Sequence, residues 1–180
     1  MPEIEWKSSL VSQMSFAWEY MFVPRMQGLT DDEYLWAPVA DVWSVHPGEP
    51  PTVDPQRHVE PAPFTTIAWR LGHVIVGVLA ARNAAHFGAP AASYESWTYA
   101  GDAETAFDQL ESQLGIWLDG VRGLGNAALA EPVGPKEPYP DAPMADLVLH
   151  IHRELIHHLS EVCLLRDLFL HTHATNGESR

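Results

Sequence analysis

Toward the end of the chain, Leu147, Ile151, Leu155, His158, Val162, Leu165 and Phe169 recur in a 4-4-3-4-3-4 rhythm. That spacing is one face of an α-helix, and an apolar face of this length has to be buried against other elements. Two polar residues share it: Glu154, and His158 one helical turn later. A carboxylate and an imidazole on a core stripe cost free energy unless something pairs with them. A buried polar network answers that need. So does a divalent metal, with a further ligand from another helix and open positions left on the ion.

Four more helices are legible, three long and one short. Trp6, Leu10, Met14, Ala17 and Met21 predict a helix over 4–23, ended or bent by Pro24. Thr30 followed by Glu33 is a capping box and predicts a short helix over 31–36, stopped by Pro38. Ile67, Leu71, Val74, Val78 and Ala81 mark a long helix over 65–87, capped by Thr65 or Thr66 and stopped by Gly88. That helix is apolar nearly all round, so it is either central or gives one face to a second subunit. Leu110, Leu114, Trp117 and Val121 mark a helix over 103–123 behind Asp102, and the last helix spans 142–171. Six prolines in 47–63 and five in 131–143 make long irregular connections. No segment alternates as a strand would. The expectation is one all-α domain over 1–180, a four-helix bundle with long Pro-rich connections, its core about 4–171 and its tail, 172–180, disordered.

The formal charge of −14 argues against nucleic acid and anionic membrane surfaces as partners. A single cysteine, Cys163, excludes an internal disulfide and reads as a core or interface residue. No basic-then-apolar leader pattern opens the chain, and Arg70, His73 and Arg82 interrupt the most apolar helix, so a cytoplasmic location is expected.

His73, in the second long helix, is the candidate third ligand. With Glu154 and His158 it supplies two imidazoles and a carboxylate, a donor set suited to zinc, nickel, iron or manganese. His150, Glu154 and His158 form a competing ladder along one face. His157 with Glu161 forms another pair rotated around the helix; Glu161 is open as ligand, as partner of a ligand or as general base. His152 is expected to face solvent, and His86 to sit against the C-terminal dipole of its helix. His46, His58, His171 and His173 read as loop or surface residues. Trp43 and Trp69 are candidates for an aromatic pocket wall. No phosphate-binding loop or serine nucleophile elbow occurs.

Four passages together resemble the DinB-like superfamily of helical bundles: Leu29-Thr30-Asp31-Asp32-Glu33 to Trp43-Ser44-Val45; Thr65-Thr66-Ile67-Ala68-Trp69-Arg70-Leu71-Gly72-His73; Trp117 to Pro132; and Arg153-Glu154-Leu155-Ile156-His157-His158 running to Glu161-Val162 and Leu164-Leu165-Arg166-Asp167. The resemblance spans roughly 4–170. Within it, the chain looks closest to the branch related to mycothiol-dependent maleylpyruvate isomerase and to bacillithiol and mycothiol S-transferases. It implies metal ligands at His73, Glu154 and His158, a divalent transition metal such as zinc or nickel, and a homodimer. The isomerase carries a further C-terminal domain with no counterpart here, so its own reaction is not expected. The resemblance thus implies a metal-dependent enzyme acting on a small molecule. The leading reading is a thiol S-transferase that takes a low-molecular-weight thiol such as mycothiol as co-substrate, with Glu161 and His157 as catalytic residues. A hydrolase using metal-bound water is the alternative. The non-catalytic alternative is a dimer that binds metal or a small ligand.

Overall fold

The computed structural model describes residues 4–55 and 59–177, the last four by backbone only. The expected loop residue His58 and the tail residues 178–180 lie outside the described residues. The chain is mostly helical.

Helix α1, Trp6–Phe16, opens into a π-helical segment, Ala17–Phe22, and continues as α2, Val23–Met26. The helical run therefore passes Pro24. A proline has no N–H, and its ring crowds the carbonyl four residues back. The wider turns just before Pro24 give that carbonyl room. Helix α3, Asp31–Tyr34, carries the expected capping box: Glu33 N–H donates to Thr30 Oγ1 at 3.3 Å, and Thr30 N–H to Glu33 Oε2 at 2.8 Å. The other Glu33 oxygen accepts from Arg166 Nε at 2.9 Å, fastening α3 to the last helix.

The proline-rich connection contains strands that sequence periodicity does not reveal. Strands β1, Val45–His46, and β2, Thr52–Val53, pair antiparallel with Val45 opposite Val53. Two residues per strand are too few to show alternation. Trp43 is tied to the start of the next helix: its N–H donates to Phe64 O, and its own carbonyl accepts from Thr66 N–H, both at 2.9 Å.

Helix α4, Ile67–His73, a π-helical segment, Val74–Ala80, and α5, Ala81–His86, form one run. Thr66 caps it by accepting from Trp69 N–H, and Gly88, at φ +71°, ends it. Of the two expectations for this helix, the central placement holds: Ile67, Leu71, Val74, Ile75, Val76 and Leu79 are all buried within the chain. It packs on α6, Ala103–Gly123, and on α8, Met144–Gly177. Asp102 caps α6 by accepting from Thr105 N–H at 2.8 Å, and a short α7, Asn126–Ala130, follows it. Helix α8 continues past the expected end at 171, so residues 172–177 are helical. Among the described residues no helix is long and apolar enough to cross a membrane.

His152 departs from expectation. It is 1 % exposed, on a second buried line of α8 with Val148, Leu155 and Leu159. The helix is covered over a wider arc than one stripe predicts. His86 closes its helix as expected, and its ring also lies 3.0 Å from Glu137 of the second proline-rich connection.

Candidate metal centre

His73 is the last residue of α4, and His158 lies midway along α8. Packing of these helices brings the two imidazoles edge to face, with ring centroids 4.9 Å apart. Glu154, one turn before His158, reaches to 3.6 Å from its Nε2. Glu161, one turn after, is 2.7 Å from its Nδ1. An ionised carboxylate only accepts, so the proton belongs on Nδ1 and the lone pair on Nε2, the side facing Glu154. His73 is held in a comparable way. Its Nδ1 lies 3.0 Å from the Tyr94 hydroxyl, and its Nε2 has no hydrogen-bond partner among the described residues. Its ring is nearly parallel to Trp69 and to Tyr94, at 5.8 and 6.3 Å between centroids.

The electrostatics suit ligands. Burial, then the neighbouring His158 and Arg70, push the His73 pKa down to about 4, against the opposite pull of Glu154 and Glu161. His73 is therefore neutral at pH 7, the form that binds a metal. Burial acts to raise the Glu161 carboxyl. The hydrogen bond from His158 and the charges of Arg70, His158 and His157 outweigh it, so Glu161 stays ionised below its ordinary range. Arg70 Nε sits 3.2 Å from Glu161, an ion pair without hydrogen-bond alignment, and burial lowers the guanidinium pKa.

His157, His158 and Glu161 form a group whose possible ligand atoms all lie within 4.8 Å of one another, and this group could hold a metal ion. His157 is exposed, with Nε2 3.6 Å from Glu161. His158 is common to this set and to the set His73, Glu154 and His158. It offers Nδ1 to the first and Nε2 to the second. Two imidazoles and a carboxylate suit a divalent transition metal in either case. Among the described residues, however, only His157, His158 and Glu161 have all their possible ligand atoms within 4.8 Å of one another; the structure does not bring His73, Glu154 and His158 that close.

The remaining candidates fall around this centre. Trp69 is buried beside His73, and Trp43 leans on it at 5.6 Å between ring centroids. His150 and Arg153 flank Glu154 at 3.5 and 3.4 Å. His46 pairs instead with Asp54 at 3.0 Å. Of two nearby cavities, one reaches the centre through Glu161 and the other only the residues that flank Glu154. One of about 270 Å³ is lined by Phe64, Arg70, Glu161, Leu164 and Leu168. Another of about 310 Å³ includes His150 and Arg153, with Arg82 and Tyr139. Sequence reasoning missed Tyr94 and the pairing of Arg70 with Glu161. Gly77, four residues after His73, was the visible trace of Tyr94, as Gly72 was of Tyr99, since small residues mark close approach.

A family model described as the DinB superfamily matches residues 13–162. No curated protein and no solved structure matches the chain.

Proposed function

Because the chain belongs to the DinB superfamily, which includes metal-dependent enzymes, we propose that it is a metal-dependent enzyme of small-molecule chemistry, a low-molecular-weight-thiol S-transferase. In this reading the helices form the superfamily's four-helix bundle. The chain falls in the branch related to mycothiol-dependent maleylpyruvate isomerase and the bacillithiol and mycothiol S-transferases.

His73, Glu154 and His158 hold the metal, zinc or nickel. The observation that carries this choice is the pair of outer contacts: Tyr94 and Glu161 occupy the Nδ1 atoms, leaving both Nε2 atoms for a site shared with Glu154. Metal-ligating histidines are held in this way. When bound, the ion lowers the pKa of a coordinated thiol so that the nucleophile is a thiolate at neutral pH.

The protein's own groups do the rest. Glu161 fixes the His158 ring, and His157, exposed beside it, carries protons to and from solvent. Phe64, Leu164 and Leu168 give the electrophile an apolar wall in the cavity that reaches Glu161 and Arg70. Trp43 and Trp69 back the His73 side. Phe64, Leu164 and Leu168 are also exposed, which supports a homodimer that covers this cavity.

Turnover separates the readings. Metal-loaded protein is expected to join a thiol such as mycothiol to an alkyl or acyl electrophile, and Glu154→Ala is expected to lose that activity with its fold intact. Hydrolysis of the electrophile without thiol would replace the transferase with a hydrolase. Bound metal with no turnover would leave a metal-binding protein.

A further inference from the structure

The connection between α5 and α6, residues 88–102, reaches the candidate centre through one side chain. The Tyr94 hydroxyl lies 3.0 Å from His73 Nδ1, and its ring is within 14° of parallel to the imidazole. The helix carrying His73 is notched to admit it. A Cβ placed on Gly77 would lie 1.8 Å from the Tyr94 hydroxyl, and one on Gly72 would lie 3.2 Å from the Tyr99 ring. Any side chain at 77 therefore displaces Tyr94.

The tyrosine is also fixed from its own side. Tyr99 O–H donates to the Tyr94 carbonyl at 3.0 Å. Ser93 and Ser96 exchange hydrogen bonds across the turn, each N–H donating to the other hydroxyl, at 3.0 and 3.2 Å. Trp97 Nε1–H donates to Gln109 on α6 at 3.0 Å. A loop tied down at this many points to present one hydroxyl to one ring nitrogen is built for orientation.

We propose that Tyr94 is a positioning residue for the metal centre: its hydroxyl oxygen accepts the His73 Nδ1–H, which fixes the tautomer and aims Nε2 at the ion. Gly77 is the notch that makes this possible. The proposal rests on the reading of His73 as a ligand.

The test is metal affinity. Zinc dissociation constants are measured by competition with a chromophoric chelator for wild type, Tyr94→Phe, Gly77→Ala and His73→Ala, with the unfolding midpoint of each metal-free protein as the fold control. Cobalt-loaded absorption spectra report ligand geometry. Tyr94→Phe keeps the ring and removes only the hydroxyl, so it is expected to weaken zinc binding about 10- to 100-fold and to change the cobalt spectrum, with the metal-free midpoint close to wild type. Gly77→Ala is expected to weaken binding at least as much. If His73→Ala abolishes binding while Tyr94→Phe binds as wild type does, the positioning role is overturned and the ligand set stands. If His73→Ala itself binds as wild type, both the ligand set and the proposal fall.

Discussion

His152 is 1 % exposed, and among the described residues neither of its ring nitrogens has a hydrogen-bond partner; the buried Trp117 indole N–H, with ring centroids 6.4 Å apart, is in the same state. Burial pushes the His152 pKa down to about 4. Above pH 6.5 the imidazole is neutral folded and unfolded, and stability does not depend on its titration. Between pH 6.5 and 4 only the unfolded chain takes up the proton, so stability falls as pH falls, by at most about 1.4 kcal/mol per pH unit. Below pH 4 both states are protonated and the loss stops. Replacing the ring by an apolar side chain of similar size removes a desolvated polar group. His152→Leu is expected to be about 1–3 kcal/mol more stable at pH 7, and its advantage should widen between pH 6.5 and 4, measured by urea unfolding of metal-free protein. A variant less stable at both pH values would mean that the ring is better satisfied than its geometry indicates. At this scale the sequence was unevenly legible. Glu154 and His158 stood out because i, i+4 spacing on an apolar stripe is periodic. His152 did not, because reading a single stripe left out the second line of Val148, Leu155 and Leu159. Tyr94 left no periodic signal at all, since it arrives from a connection.

At the scale of elements, local signals carried far and distant ones did not. The cap of α3 was visible in Thr30 and Glu33, and Asp102 and Thr66 marked the starts of α6 and α4. The second use of Glu33 was not visible, because Arg166 is 133 positions away. Burial acts to raise the Glu33 carboxyl, but the Thr30 amide and Arg166 outweigh it and leave the pKa lowered. Its stabilisation is therefore present above the ordinary carboxylate pKa and is lost as pH falls through the lowered folded value. Glu33→Gln leaves the partly buried Arg166 without its counter-charge and is expected to cost about 3 kcal/mol at neutral pH. Urea unfolding at pH 7 and pH 3 should show the cost shrinking as the wild-type carboxyl becomes protonated. A variant as stable as wild type at pH 7 would mean that the pair contributes nothing. The π-helical segments were illegible because apolar spacing of three and four residues does not separate them from α-helix. Val74–Ala80 begins immediately after His73 and contains the Gly77 notch, a placement typical of functional sites.

For the whole molecule, the proposed centre draws on three parts of the chain that converge: α4 carries His73, α8 carries Glu154, His158 and Glu161, and the 88–102 connection carries Tyr94. A ligand that bridges separate elements in the folded state alone stabilises that state by mass action. Zinc at a hundred times its dissociation constant should therefore raise unfolding stability by about 2.7 kcal/mol, and His73→Ala should show no such gain. The helical pattern and the candidate ligands on two helices were legible because both rest on periodicity. Which ligand atoms face one another depends on how α4 packs against α8, and no local pattern encodes that.

The central claim is that the metal is held by His73, Glu154 and His158 rather than by His157, His158 and Glu161. Elemental analysis of untagged wild type, His73→Ala and His157→Ala decides it most directly. About one equivalent of a transition metal is expected in wild type and in His157→Ala, with none in His73→Ala. Metal retained by His73→Ala and lost from His157→Ala would contradict the claim and move the centre to the outer group. Wild type that takes up no zinc, nickel, iron or manganese would make the Glu/His stripe a buried polar network.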